Sequence, residues 1–449
     1  MKNTLQRVLS FIICFIVACC GNTLYANNNY RVRSSGKKIA AQFTTQNCVY
    51  VITNSIDLHQ KTLTIPKGSI LKFEGGEFMN GIVSGNATMV ESPCCQIFSN
   101  NVSLTGTWKA DRAYPEWFGA KADNERFDSR EAMQKCIDNF SHVVLTGVYH
   151  FLTSTAEGGG VTLRIGSMID GVSVPNPHSL MNGIVMKVPN ADYVIKMENS
   201  TSISSIFVEG NSDGYSHKSK IKGLYTSGTS RMKVTNVQIC KCYTAVDFTS
   251  YLSVLERVTA YYCERGFYCH GTDKSQYTSL VLTNCFANTC VDFGYKLDNI
   301  IYSSLISCAA DYIGFNAAKD LKVSEKSESA YTFNKCLGID VSACGSENSY
   351  KWISAVASNR LNIHSCRMTA NYKDNANYRL DVKNCFDCNF DVSYEVKNAP
   401  SKYKIMKYSH YTNSCSNTVT SIKEEAIDYV STGTELVDKI KRTLKLGRQ

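Results

Sequence analysis

A cysteine-marked repeat runs through the second half of this chain and constrains its fold more than any other feature. The marks are Cys240 in VTNVQIC, Cys263 in VTAYYC, Cys285 in LVLTNC, Cys308 in SSLISC, Cys336 in TFNKC, Cys366 in LNIHSC and Cys385 in DVKNC, at intervals of 23, 22, 23, 28, 30 and 19 residues. Each mark closes a short run rich in β-branched and apolar residues. Several are followed by a second run, as in AVDF (245–248), CVDF (290–293) and YIGF (312–315). A period in the low twenties with strand-like content predicts a solenoid of stacked coils. Placing a cysteine at one fixed point of each coil predicts a column of small buried thiols, since free cysteine packs as a small hydrophobe. The chain has 20 cysteines. Neighbouring coils of a parallel stack lie ~4.8 Å apart, so the thiols come close without needing to pair.

Composition agrees with strand-built surfaces. The 449 residues are 43% apolar and only 19% charged, which suits a large buried core and excludes a disordered chain. The formal charge of +9 is spread thinly, with no Lys/Arg block, so nucleic acid is not an expected partner. Residues 1–26 read as an export signal. Lys2 and Arg7 give the positive start, and Val8–Ala18 is an apolar run too short to span a bilayer stably. Two endings are open. Ile16-Val17-Ala18-Cys19 resembles a lipobox, which makes Cys19 a lipidation site and anchors the chain to the outer membrane. Leu24-Tyr25-Ala26 resembles an ordinary cleavage site. Either way the chain is expected to be exported, to the periplasm, outer membrane or cell surface.

Residues 45–110 alternate like short strands, with Leu63, Ile65, Ile70, Leu71, Phe73, Phe78, Ile82 and Val83 apolar. Gly75-Gly76 and Asn80-Gly81 suit corners with positive φ. Residues 128–140 predict one helix. Asp128 is a suitable N-cap with Glu131 three residues on, and Met133, Cys136, Ile137 and Phe140 form one apolar face. A lone helix in a strand-rich chain suits the cap that a solenoid end requires. Ile422–Leu446, with Ile427, Val430, Leu436, Val437, Ile440 and Leu444 apolar, predicts a short helical tail. The expected domains are therefore a leader at 1–26, a solenoid at 45–410 and a tail at 411–449.

The stretch YPEWFGAKADNERFDSREAMQ, followed by a helix and then VVLTGVYHF, resembles the pectate-lyase-like right-handed parallel β-helix superfamily of exported bacterial proteins. Trp117, Phe118, Gly119, Ala120, Lys121, Ala132 and Gln134 match its W-F-G-A-K and Ala-Ile-Gln stretches. Its Gly-Asp-Gly is Ala122-Asp123-Asn124 here, and its Asp-Asp-Thr is Phe127-Asp128-Ser129. The retained Asp123 and Asp128 are expected to form a turn and cap the helix. The resemblance covers residues 60 to about 395. It implies an all-β right-handed parallel β-helix with a cap helix near 128–140, and a polysaccharide or other glycan as partner.

Three activities are compatible with that resemblance. A glycoside hydrolase uses clustered carboxylates. A polysaccharide lyase uses acids that hold Ca²⁺, so Ca²⁺ is expected only in that case and no other cofactor is predicted. A non-catalytic glycan binder or adhesin uses neither. Asp247 and Asp292 sit seven residues after Cys240 and Cys285, and His270 seven after Cys263, so equal register places them in one column. Asp311 follows Cys308 by three. These four are the catalytic candidates. Gly-x-Ser-x-Gly, His-Glu-x-x-His and the paired-Asp and Gly-His-Gly elements of polygalacturonases are absent, and Gly158-Gly159-Gly160 lacks the Lys and helix of a phosphate loop. Tyrosines crowd the central coils at Tyr251, Tyr261, Tyr262, Tyr268, Tyr277, Tyr295, Tyr302 and Tyr312. Tyrosine suits half-buried strand surfaces, and its ring also stacks on sugar faces.

Overall fold

The computed structural model describes residues 29–32, 36–174, 181–212, 219–272, 274–316, 321–322, 329–371, 379–397, 403–410, 417–420, 422 and 427–431. The leader at 1–26, with Cys19, lies outside them. The chain divides into two compact units, residues 1–93 with 97–110, and residues 94–96 with 111–449.

The smaller unit is a parallel stack. Strand Val49–Ile52 pairs with Asn29–Val32 on one side and Ile70–Phe73 on the other, and Gly81–Glu91 pairs with Ile70–Phe73, Thr62–Thr64 and Val102–Lys109. Phe43, Phe73, Phe78 and Phe98 fill its interior, the last three with ring centroids 5.7–6.4 Å apart. Its expected corners divide the labour. Gly75 and Asn80 take positive φ, at 94° and 57°. Gly76 has no room for a side chain, because a Cβ there would lie 2.6 Å from the Asn54 carbonyl.

The larger unit holds a 20-stranded and an 11-stranded sheet, and the paired strands of both run parallel. Most coils give two short strands to the first sheet and one to the second. Lys233–Thr235, Gln238–Cys240 and Thr244–Tyr251 make one such coil, and Ser253–Glu256, Thr259–Tyr261 and Arg265–His270 the next. This is the parallel β-helix that the resemblance implied, with the right-handed coiling that parallel crossovers take.

The corners explain the repeat. At each, one residue adopts a left-handed conformation, such as Lys241, Tyr262, Asn284, Ser307, Lys335 and Ala343, with φ of 50–52°. The next residue points inward and is often Cys or Ser. Its SH or OH donates to the carbonyl two residues earlier and, in many coils, to a carbonyl of the preceding coil. Cys285 donates to Thr283 and Leu255, Cys308 to Ile306 and Leu282, and Cys344 to Ser342 and Leu305. Ser253 and Ser303 make the same short bond at another corner. The cysteine supplies a donor to carbonyls that the kink turns away from the ladder. The described cysteines are free thiols, buried except for Cys94 and Cys95. Burial raises the pKa of Cys242, Cys285 and Cys290 and keeps them protonated.

The single column expected from the period is therefore several columns. Cys285, Cys308 and Cys366 turn between the two strands of the larger sheet. Cys263 turns into the smaller sheet, in line with Cys242, and Cys336 and Cys385 turn out of it. Cys240 is no corner residue, for it ends a strand in register with Tyr261. All corners impose the same need for a small donor, so the marks look alike although their places differ.

The predicted helix spans Arg130–Asn139 and covers the first coil of this unit. Met133, Cys136 and Ile137 are buried, and Phe140 packs edge-on to Trp117, with ring centroids 5.3 Å apart. Its N-cap is Ser129, one residue later than expected, and Glu131 pairs with Lys135 and makes no capping box. Asp128 instead ties the helix start to the next strand. Its carboxylate accepts from the backbone N–H groups of Arg130 and Leu152 and from the Thr153 hydroxyl. Asp123 takes φ 56° and accepts from the Val148 N–H at 2.9 Å, the turn role expected of it.

The helical tail is corrected where the structure reaches it. Ile427–Ser431 is a strand paired in parallel with Met406–His410. Ile427 and Val430 match a helical spacing, but the open edge of Met406–His410 offers a full row of backbone partners, which a lone helix cannot match. Residues 432–449 lie outside the described residues. So do residues 317–320 and 323–328, while Leu321–Lys322 pairs antiparallel with Phe315–Asn316.

Candidate functional site

Parallel register fixes which side chains share a face. On the 11-stranded sheet, Tyr225, Asp247, Tyr268 and Lys296 form one row across successive coils. The next row outward along the strands is Ser227 and Thr249, then His270, Asp298 and Asn334. Both rows face away from the core, because alternate residues such as Val246, Phe267, Tyr295 and Tyr331 point inward and are buried. Phe267, Tyr295 and Tyr331 stack in the interior with centroids 4.7 and 5.2 Å apart, and the two tyrosine hydroxyls donate to Ala309, Cys308 and Gly345 carbonyls. That stack makes the floor under the outer rows rigid.

Two of the four sequence candidates meet here. The Nε2 of His270 lies 3.1 Å from the Asp247 carboxylate, and its Nδ1 lies 3.0 Å from the Gly271 carbonyl. Both ring nitrogens thus face acceptors, an arrangement that favours the doubly protonated, charged ring. Burial opposes that charge. The hydrogen bond and charge of Asp247, with the Gly271 carbonyl and the charge of Asp298, outweigh it and raise the His270 pKa. Thr249 stands 3.4 Å from the same Nε2, and Tyr268 stacks on the imidazole with centroids 4.2 Å apart. Asp247 is only 8% exposed and also has Lys222 at 3.9 Å. On the other side of His270, Asp298 accepts from the Asn334 amide at 2.8 Å.

The expected single column of Asp247, His270 and Asp292 is corrected by this register. Asp247 aligns with Tyr268, His270 aligns with Asp298, and Asp292 precedes Phe293, which aligns with Arg265. The count of seven residues failed because Cys240 and Cys263 occupy different places in their coils. Asp292 sits at the inner end of the same sheet, bound by the Arg265 Nε at 2.9 Å, while that guanidinium lies 4.4 Å from the Tyr243 ring centroid. Its role is to hold the corner. Asp311 is apart from all three. It ends a strand of the 20-stranded sheet, in register with Asn288, and accepts from the Glu347 N–H at 2.8 Å. Burial pushes its pKa up to about 6, with the charge of Glu347 adding to the rise.

Sequence reasoning missed Thr249, Asp298, Asn334 and Lys222. The left-handed corner residues, had each been located, gave the signal for them, because counting from a corner sets the register that counting from a cysteine does not. Among the described residues no group of three or more His, Cys, Asp or Glu could hold a metal ion. Among them, too, no helix is long and apolar enough to cross a membrane.

No family model matches the chain. No curated protein matches it either. Solved structures do. The gp42 tailspike of Acinetobacter phage vb_AbaP_AS12 is similar over 72% of this chain, at 14% identity and a TM-score of 0.52. The enzymatically active domain of tailspike protein 2 from bacteriophage CBA120 is similar over 69%, at 17% identity and a TM-score of 0.50. The chain spans 62% of the first of those chains and 47% of the second. At such identity the likeness is one of fold, and the fold shared is the parallel β-helix.

Proposed function

We propose that this chain is an exported glycan-processing protein that hydrolyses a polysaccharide on the outer face of its 11-stranded sheet. One observation carries the reading. An imidazole and a carboxylate, His270 and Asp298, stand in register on adjacent coils of an outward face that also presents Tyr225 and Tyr268. Adjacent coils are ~4.8 Å apart, so both side chains can reach one bound sugar. In this scheme the leaving oxygen takes the place of the Gly271 carbonyl at Nδ1, and His270 gives its Nδ1 proton to it as the bond to the anomeric carbon breaks, while Nε2 stays on Asp247. Asp298 takes a proton from the water that attacks that carbon and then releases it to solvent, and His270 regains a proton from solvent, which restores both groups. Asp247 is a positioning residue. Its carboxylate orients the ring and favours its protonated form, the form a general acid needs. The tailspike domain named enzymatically active supports the reading by sharing the scaffold, and a scaffold alone supplies no activity.

One observation favours a second reading, a binder without turnover: Asp247 is nearly buried between His270 and Lys222, as in a structural ion pair. A panel of neutral and acidic polysaccharides separates the two. Reducing ends without unsaturated uronates mean hydrolysis. Unsaturated product that depends on Ca²⁺ means a lyase. Retention on an immobilised glycan with no product means a binder. Export by residues 1–26, with Cys19 lipidated, belongs to the same proposal, and mass spectrometry of the mature N-terminus tests it: an acylated Cys19 supports the anchor, and a start at Asn27 excludes it.

A further inference from the structure

Beyond Thr249 the outer row continues to an exposed aromatic edge. Asp247, Thr249 and Tyr251 alternate along the one strand Thr244–Tyr251 and so face the same side. Asp247 and Thr249 are each 8% exposed, whereas Tyr251 is 38% exposed. Its ring lies against that of Tyr277 on the next coil, with centroids 5.9 Å apart. Two coils beyond Leu252, at the same left-handed corner, Tyr302 is 62% exposed. Glycines lie beside two of these rings. A Cβ on Gly338 would meet the Tyr302 ring at 3.1 Å, and one on Gly228 would meet the Tyr277 hydroxyl at 3.4 Å. Gly338 and Gly228 themselves take positive φ, which residues with a side chain rarely adopt.

We infer that Tyr251, Tyr277 and Tyr302 form a sugar-stacking platform that continues the proposed site around the corner of the coil. The occupant is a chain of pyranose rings, whose C–H faces suit flat aromatic surfaces while their hydroxyls suit the phenol groups. Continuity commits the surface to that occupant. Asp247 and Tyr251 are ~13 Å apart along one strand, so a glycan bound at His270 and Asp298 reaches the platform by running along the strands, across the solenoid axis. The inference rests on the glycan reading of the preceding section and adds the direction in which the chain lies and the residues that grip it.

The test is binding of the full chain to an array of short gluco-, manno-, galacto- and xylo-oligosaccharides and oligouronates, with turnover followed in parallel. Tyr251→Ala and Tyr302→Ala should each weaken binding at least about tenfold. Tyr302→Phe should retain it, and Asp298→Asn should bind while failing to turn over. The tyrosines are exposed, so thermal melts should stay unchanged, and a variant whose melt drops is replaced by the corresponding Tyr→Phe and Tyr→Ser pair. Wild-type binding by both alanine variants overturns the platform, and loss of turnover in Asp298→Asn would then leave the hydrolytic reading intact. Absence of both binding and product in the wild type overturns the underlying reading. If Tyr302→Ala instead converts a sedimenting dimer to a monomer without changing glycan binding, a second copy covers the edge and the platform is overturned.

Discussion

The side-chain amide of Gln134 is hydrogen-bonded twice to the backbone of Thr162: its Oε1 accepts from the Thr162 N–H at 2.8 Å and its Nε2 donates to the Thr162 carbonyl at 3.1 Å. Thr162 lies in Val161–Leu163, the first strand of the 11-stranded sheet, which pairs on its other side with Tyr193–Met197. The helix thus closes the open edge with a side chain that imitates the missing strand, in addition to covering the core with Met133 and Ile137. Solenoid ends need such closure to avoid pairing with another chain.

Gln134→Ala should therefore destabilise the larger unit by ~1–3 kcal/mol, the cost of leaving a donor and an acceptor unsatisfied. Gln134→Glu should recover only part of this, because a carboxylate accepts from the N–H but donates nothing to the carbonyl. Urea unfolding followed by circular dichroism measures both. Equal stability of all three proteins would mean the helix caps by apolar burial alone.

The corners make a second prediction. Asn284 holds φ 51° immediately before Cys285. Asn284→Val should cost ~1–2 kcal/mol, since a β-branched residue resists the left-handed region, whereas Asn284→Gly should be nearly neutral. Cys308→Ser should also be mild, because Ser253 and Ser303 make the same bonds elsewhere. Thermal melts of the three variants test the corner account, and a large loss for Asn284→Gly would contradict it.

Much of this architecture is legible in the sequence, and the misses share one cause. Short apolar runs closed by Cys285, Cys308 or Cys366 reveal a stack of parallel strands because each coil must bury the same narrow interior. The cap helix is legible because Met133, Cys136, Ile137 and Phe140 keep helical spacing. Register is harder. Several corners per coil accept Cys after a left-handed residue, so Cys240 and Cys263 look equivalent while standing in different places. That slip moved Asp292 into a column with His270 and left Asp298 unnoticed. Ile427 and Val430 misled in another way, for their spacing fits both a helix and a strand, and the waiting edge of Met406–His410 decides between them.

Asp311 supplies a pH test away from the site. Its folded pKa, about 6, lies above the ordinary 3.8, so folding favours the protonated acid. The associated stability is fully present below about 3.8 and is lost as pH rises through about 6. Asp311→Asn should then raise stability near neutral pH by ~1–2 kcal/mol, less than the full shift converts to because the group is partly exposed. It should also flatten the stability profile between those two pH values. A variant less stable at neutral pH would show that the charged form is the favoured one.

His270 titrates in the opposite context, with its pKa raised despite burial. Its contribution to stability is present below the ordinary histidine value of about 6.5 and is lost as pH rises through the higher folded value. In Asp247→Asn the opposing effect of burial is left with less to offset it, so the His270 midpoint should fall. Ring-proton NMR across the pH range reads both proteins. An unchanged midpoint would remove Asp247 from its positioning role.

The most direct test of the central claim is turnover of single variants on whichever polysaccharide the wild type degrades. Asp298→Asn and His270→Gln should each lose at least about a hundredfold in kcat, the scale of a general acid or base. Asp311→Asn, on the other sheet, should turn over like the wild type. Full activity in Asp298→Asn and His270→Gln, with loss in Asp311→Asn, would move the chemistry to the 20-stranded sheet and contradict the account.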